Sequence, residues 1–137
     1  MFFMKLNYTC HLIVFKISLI LIFNVVFLAP PAVPEAPLEV TEITKNSATL
    51  TWKESPEDGG SPITHYLLEM KEAWKSTWTY VEKKRAGEPL KHKLSHLTEG
   101  SEYIARVMAE NKAGQSEALE SEKFTPKNQY GKLLNYT

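Results

Sequence analysis

Cysteine is almost absent from this chain of 137 residues, because the only one is Cys10, near the amino terminus. From residue 30 onward the sequence can therefore form neither a disulfide nor a cysteine-ligated zinc site. A domain there must be stable through its hydrophobic core alone. About 100 residues are enough for this, since folding at that size buries roughly 60–65% of the surface of the unfolded chain.

An excess of charge of one sign is also lacking, with 16 Lys and Arg against 16 Asp and Glu. This balance argues against a basic nucleic-acid-binding protein and against an acidic disordered tail. The hydrophobic content of 43% and the aromatic content of 11% exclude a disordered chain. The composition is that of an ordinary globular protein.

The average conceals two unlike parts, because residues 1–29 contain 22 apolar residues, two lysines and no acid. Three interpretations of this leader stay open. It resembles a secretory signal, although bulky residues precede Ala29 where small ones are expected before a cleavage site. It could be a membrane anchor, although 18 residues interrupted by Lys16 and Asn24 are marginal for the ~20 that a span needs. It also has the composition that translated AT-rich intron sequence gives, which would make residues 30–131 a single exon flanked by read-through.

Four prolines, Pro30, Pro31, Pro34 and Pro37, follow the leader and predict a stiff, extended linker. The sequence is thus divided into a leader (1–29), a proline-rich linker (30–36), a domain (37–126) and a carboxyl-terminal tail (127–137).

Short segments in which apolar and polar residues alternate follow the linker, separated by turn-forming residues. Such alternation is typical of half-buried strands, and no segment shows sustained helical periodicity. The seven predicted strands lie at 38–43, 47–53, 65–70, 78–81, 91–97, 103–110 and 122–125. Seven short strands at nearly regular spacing predict an all-β fold, a seven-stranded antiparallel β-sandwich.

Four motifs in this region occur in a fixed order. They are ATLTW at 48–52, DGGSPI at 58–63 followed by Tyr66, LTEGSEY at 97–103, and Arg106-Val107 followed by AENKAG at 109–114. With these motifs, residues 34–130 resemble a fibronectin type III domain of the kind found in the giant muscle proteins titin, twitchin and projectin.

The resemblance implies two sets of structural residues. The core set is Trp52, Tyr66, Leu68, Leu97, Tyr103, Val107 and Ala109. The turn and loop set is Asp58, Gly59, Gly60, Pro62, Gly100, Asn111 and Gly114. Tyr103 is further implied to form a tyrosine corner, in which its ring packs inward while its hydroxyl bonds to the backbone upstream.

The chain departs from the family pattern at three places. Ala105 lies where a large inward aromatic is usual, His65 replaces a common glycine, and residues 116–121 lack the usual prolines. The last departure leaves the register of the final strand open.

Sites for chemistry are sparse. His92 and His96 have the spacing of paired metal ligands, but in a continuous strand they would lie about 13 Å apart and could not share an ion unless the strand ended between them. No motif places a histidine beside a nucleophile, and no glycine-rich loop is suited to phosphate. The sequence therefore predicts a protein that is not an enzyme, with no catalytic residue, no metal site, no cofactor and no small-molecule substrate.

One basic cluster stands out, formed by Lys83, Lys84, Arg85, Lys91, His92 and Lys93. Residues 34–126 contain 12 Lys and Arg against 16 Asp and Glu, a net charge of −4 (12 − 16), which argues against nucleic acid. The cluster is interpreted as a solvated strand edge or as a protein contact.

The resemblance implies a non-catalytic structural and protein-binding module in a tandem array of the cytoplasmic sarcomere. Its implied partners are neighbouring immunoglobulin-like and fibronectin-like domains and the myosin thick filament. The alternative is the extracellular domain of a secreted or membrane-anchored adhesion or receptor protein. That alternative, and any contact with a membrane, requires residues 1–29 to be a genuine signal or anchor.

Overall fold

The structure is a computed structural model that describes residues 27–128. The predicted leader up to residue 26 and the tail beyond residue 128 lie outside the described residues. Every regular element between 27 and 128 is a strand, and no helix in this range is long and apolar enough to cross a membrane. In chain order the strands are β1 (Glu39–Thr41), β2 (Ala48–Thr51), β3 (His65–Glu72), β4 (Thr79–Arg85), β5 (Lys91–Leu94), β6 (Tyr103–Asn111), β7 (Gly114–Gln115) and β8 (Leu119–Glu120).

The strands form two antiparallel sheets. The smaller sheet has the order β1-β2-β5, and the larger has the order β4-β3-β6, with β7 and β8 both pairing with the far side of β6. This arrangement confirms the predicted all-β sandwich.

Strands β3 and β6 form the centre of the larger sheet, and their register explains the core. Tyr66 pairs with Ala109 and Leu68 pairs with Val107. Because side chains alternate between the two faces of a strand, these paired residues point to the same side. All four are at most 2% exposed. The alternation of apolar and polar residues along β3 and β6 therefore produces the apolar face that points inward.

The smaller sheet covers that face through Ala48, Leu50 and Trp52, which alternate in the same way and are at most 3% exposed. Together the two sheets enclose a cluster of thirteen buried residues: Leu38, Ala48, Leu50, Trp52, Tyr66, Leu68, Leu94, Leu97, Tyr103, Ala105, Val107, Ala109 and Phe124. Complete burial of a large apolar side chain stabilises the fold by about 1.5–3 kcal/mol.

The last strand differs from the prediction. A seventh strand was expected at 122–125, but the chain pairs with β6 earlier, through β7 and β8, and residues 122–125 contribute only a bridge between Tyr103 and Phe124. Eight short strands thus replace the seven expected.

Two serines explain the interruption. Ser116 Oγ accepts a hydrogen bond from the amide of Ala109 (2.9 Å), and Ser121 Oγ accepts one from the amide of Ala105 (3.0 Å). At both places a hydroxyl replaces the backbone carbonyl that a regular strand would present, so the ladder is broken while the amides of β6 stay bonded.

Two other strand ends differ from the prediction by three residues or more. Strand β4 continues to Arg85, four residues beyond the expected end. Strand β5 ends at Leu94 rather than at Leu97. Beyond it, His96 has a φ of 58° and the amide of Leu97 donates to the carbonyl O of Asn46 (3.0 Å), so the chain turns away from the sheet there.

Candidate functional site

The seven predicted core residues all lie in the buried cluster between the sheets. Trp52 and Tyr66 meet with ring centroids 6.2 Å apart and planes tilted by 59°. Tyr103 packs on Phe124 with centroids 5.9 Å apart. The hydroxyl of Tyr103 accepts a hydrogen bond from the amide of Thr98 (3.0 Å), five residues upstream, which is the bond implied for a tyrosine corner.

Four of the predicted loop residues belong to the segment between β2 and β3. Asp58 Oδ1 accepts a hydrogen bond from the amide of Gly60 (2.9 Å), which closes a tight turn around Gly59. Gly59 has a φ of 75°, and a Cβ there would lie 2.6 Å from the carbonyl O of Pro30 and nearer still to that of Ala29. Only glycine allows so close an approach of two backbones. Pro62 is exposed, next to the buried Ser61.

The segment that approaches Gly59 is the predicted proline-rich linker. The amides of Ala29, Ala32 and Glu35 donate to the carbonyl oxygens of residues 59, 57 and 54, at 2.9, 3.0 and 3.2 Å. Pro31 and Pro34 are buried. We call residues 29–35, bonded in this way to residues 54–59, the entry segment.

Asn111 joins the entry segment to the rest of the domain. This last residue of β6 is 4% exposed, and its Nδ2 donates to the carbonyl oxygens of Ala29 and Asp58, both at 2.7 Å. Its Oδ1 accepts from the amides of Ala113 (2.8 Å) and Gly114 (3.1 Å). The amide group thus makes four hydrogen bonds, and it ties three separate stretches of chain together.

The opposite end of the domain is bonded in a comparable way. Tyr103 and Phe124 exchange two backbone hydrogen bonds (2.9 and 3.0 Å), and the amide of Gly100 donates to the carbonyl O of Pro126 (3.0 Å). Leu38, just before β1, makes a parallel bridge with Ser121. The first and last parts of the domain are therefore in direct backbone contact.

The two remaining loop glycines, Gly100 and Gly114, lie at these same contacts. Gly100 has a φ of 84°, and Gly114, with a φ of 144°, begins β7 beside Asn111. The sequence indicated that both lie in turns. It gave no indication that Asn111 is buried, because its carbonyl partners lie 82 and 53 residues earlier in the chain.

The outer face of the larger sheet carries a polar cluster that sequence reasoning missed. Arg106 Nη2 lies 2.6 Å from Glu69 Oε2, and the guanidinium Cζ lies 4.2 Å from the ring centroid of Trp78. Lys71 Nζ lies 4.9 Å from the centroid of the same ring. The register of β3 and β6 pairs Glu69 with Arg106, which is the signal that could have predicted the ion pair.

The candidate metal ligands are separated by the end of β5 at Leu94, with His92 on the strand and His96 beyond it. Within residues 27–128, no three His, Cys, Asp or Glu side chains are grouped to hold an ion. His92 pairs with Leu50 on the core side of the smaller sheet. Burial lowers the pKa of its imidazole below 6.5, Glu82 raises that pKa in part, and Lys84 lowers it again.

The three departures from the family pattern also have a place in the fold. Ala105 is fully buried opposite Met70 in the sheet, and its amide bonds to Ser121. His65 begins β3 in register with Arg85. Residues 116–121 hold the two serines that interrupt the last strand.

Known proteins similar to this chain include titin, a myosin-binding protein and Roundabout homolog 3. Titin of Drosophila melanogaster is 36% identical over 94 residues. The match covers 69% of this chain and, to the nearest per cent, 0% of the length of titin. Fast-type myosin-binding protein C of Gallus gallus is 33% identical over 69% of this chain and 8% of that protein. Roundabout homolog 3 of Homo sapiens is 41% identical over 65% of this chain and 6% of that protein. The chain thus spans only a small part of each of these relatives.

The solved structure of titin kinase and its flanking domains superimposes on the fold with a TM-score of 0.65. The match has 31% sequence identity and covers 79% of this chain and 19% of that one. The sequence model of the fibronectin type III domain matches residues 30–127. The chain belongs to the fibronectin type III family, and its domain is homologous to structural modules of titin-like muscle proteins.

Proposed function

We propose that residues 29–126 form one non-enzymatic module of a tandem array in a sarcomeric, titin-like protein of the cytoplasm. The observation that carries the proposal is that both ends of the domain are hydrogen-bonded up to residues 29 and 126. A module whose first and last segments are both bonded to its body passes tension directly into the fold, as a chain that transmits load requires. The homology to structural modules of titin supports the absence of catalysis.

The arrangement of the chain ends suits a protein under tension. The parallel bridge between Leu38 and Ser121 connects the first part of the domain to the last, and β1 is bonded to β2 along its whole length. When the two ends are pulled apart, bonds between parallel segments are loaded together rather than one by one. The domain thus resists force without a disulfide.

The partners in this proposal are adjacent immunoglobulin-like and fibronectin-like domains and the myosin thick filament. Support for the filament comes from the relationship to a protein named for its binding to myosin. The partner contacts are proposed to involve Gly60, in the loop between β2 and β3, and Lys112, in the turn after β6, because both are exposed. Gly59 and Asn111 in the same loops face the entry segment instead.

Immunolocalisation tests the proposal. An antibody raised against residues 30–127 should label striated muscle in a regular band pattern, inside the cell. Labelling of the outer surface of unpermeabilised cells, or recovery of the protein from the medium, would contradict it. That result would support the extracellular alternative.

A further inference from the structure

One end strand of each sheet lies on the same side of the sandwich. Strand β4 is the end strand of the larger sheet and β5 that of the smaller. The chain runs from one to the other through residues 86–90, and Lys84 Nζ reaches back to the carbonyl O of Pro89 (3.5 Å). The pKa of His92 on β5 responds to the charges of Glu82 and Lys84 on β4. The two edges are therefore neighbours.

This side of the domain concentrates positive charge. Five of the 12 cationic side chains between residues 34 and 126 lie on the two edge strands, in a stretch with only two acids, Glu82 and Glu88. We call these five the basic edge: Lys83, Lys84, Arg85, Lys91 and Lys93. The remainder carries 7 cations (12 − 5) against 14 acids (16 − 2), so the basic edge differs in sign from the rest of the domain.

Most of the basic edge lacks an internal counter-charge. Lys83 lies 2.9 Å from Glu110 Oε2. No carboxylate of the described residues lies within 4.0 Å of the charged groups of Arg85, Lys91 or Lys93, and all three side chains are exposed. Unpaired cations grouped on one surface attract an anionic partner.

The spacing of the two lysines on β5 indicates the form of that partner. Lys91 and Lys93 alternate with His92 and with the buried Leu94, so both point to the outer face of the smaller sheet. At about 3.3 Å per residue they are roughly 7 Å apart along the strand. An extended segment that pairs with the free edge of β5 would present every second side chain directly opposite them.

We propose that the free edge of β5 binds an extended, acidic protein segment that carries carboxylates at alternating positions. Backbone hydrogen bonds to the edge hold the segment, its carboxylates pair with Lys91 and Lys93, and the other cations of the basic edge steer its approach. The segment adds a strand to the smaller sheet. Nucleic acid is disfavoured as the occupant because the domain as a whole is negative.

The test is a titration of the 137-residue chain with two six-residue peptides of the same composition, glutamate, valine and threonine. In one peptide the two glutamates alternate with valine, and in the other they are adjacent. The alternating peptide should shift the amide resonances of β5 and bind at least fivefold more tightly than the adjacent one. Raising the salt concentration should weaken its binding.

Two charge-reversal variants of equal net charge complete the experiment. Lys91→Glu with Lys93→Glu should weaken binding of the alternating peptide at least tenfold. Lys45→Glu with Lys123→Glu, on exposed cations outside the basic edge, should change it less than twofold.

Three outcomes would overturn the proposal. Equal affinity for the two peptides would mean that charge alone is recognised. Tighter binding of a ten-nucleotide single-stranded DNA would assign the surface to nucleic acid. Self-association of a Lys91→Thr, Lys93→Thr variant that binds no peptide would show that the lysines only protect an edge from aggregation.

Discussion

At the scale of single residues, the side chains of greatest consequence are polar groups buried beside backbone atoms. The hydroxyl of Tyr103 and the side-chain amide of Asn111 each form hydrogen bonds with backbone groups in irregular segments of the chain. An unpaired buried donor or acceptor costs about 1–3 kcal/mol. Small changes at these two positions should therefore have effects well above those of ordinary surface substitutions.

Tyr103→Phe keeps the ring and removes the acceptor of the Thr98 amide. We expect it to lower the free energy of unfolding by about 1–2 kcal/mol, because that part-buried amide is left unpaired. Tyr103→Ala should cost about 3–5 kcal/mol, since it also opens a cavity beside Phe124. Urea unfolding of both variants measures the difference. A phenylalanine variant as stable as wild type would show that the hydroxyl contributes nothing.

Asn111→Asp is nearly isosteric but replaces a donor by a carboxylate oxygen that faces two carbonyl groups. We expect a loss of about 2–4 kcal/mol, together with faster amide hydrogen exchange at Ala29 and Ala32, because the entry segment loses its side-chain anchor. The exposed neighbour provides the control, since Lys112→Ala should stay within about 0.5 kcal/mol of wild type. Unchanged exchange at residues 29–35 would contradict the role given to Asn111.

At the scale of elements, the contact between the entry segment and the 54–59 loop depends on glycine at position 59. Gly59→Ala would place a methyl group against the carbonyl oxygens of Ala29 and Pro30, so the entry segment must move. Gly87 has a similar φ of 94°, but a Cβ there meets nothing within 4 Å.

The two glycines therefore form a matched pair. Gly87→Ala should cost about 1–2 kcal/mol through backbone strain alone. Gly59→Ala should cost more and should also remove the exchange protection of the Ala32 amide, which Gly87→Ala leaves intact. Calorimetry and hydrogen exchange on both variants check this. Equal stability of the two would mean that the close approach is not needed.

The elements show how much the sequence could predict. Alternation identified the inward residues of β2, β3 and β6, because a strand in a two-layer fold has one apolar face. The last strand was placed too late because Ser116 and Ser121 break its ladder through side-chain hydrogen bonds, which leave no trace in hydrophobic periodicity. Asn111 was recognised as a turn residue, but its carbonyl partners are distant in sequence and only the folded chain brings them together.

At the scale of the whole molecule, stability should depend on pH through His92. Its pKa is lowered in the folded state mainly by burial, so the unfolded chain binds more protons at a pH just below 6.5. The free energy of unfolding must then fall as the pH drops from above 6.5 through the lowered pKa. The contribution of neutral His92 to the free energy of unfolding is fully present above pH 6.5.

His92→Gln should reduce the loss of unfolding free energy that occurs between pH 7 and 5.5. His96→Asn, at an exposed position with a φ of 58°, should retain it. Urea unfolding at several pH values measures both. If wild type and His92→Gln lost stability in parallel over that range, another group would be responsible.

The entry segment has a consequence for elasticity. Free between two domains, these seven residues, three of them proline, would form a stiff and already extended spacer. Bonded to the 54–59 loop, the same residues are held against the domain and add no length between neighbours. Once released and fully drawn out, the entry segment would span about 24 Å, at ~3.3–3.6 Å per residue. Each such module would thus hold a short reserve of length, available only above the force that breaks the bonds of Ala29, Ala32 and Glu35, and recovered when the tension falls.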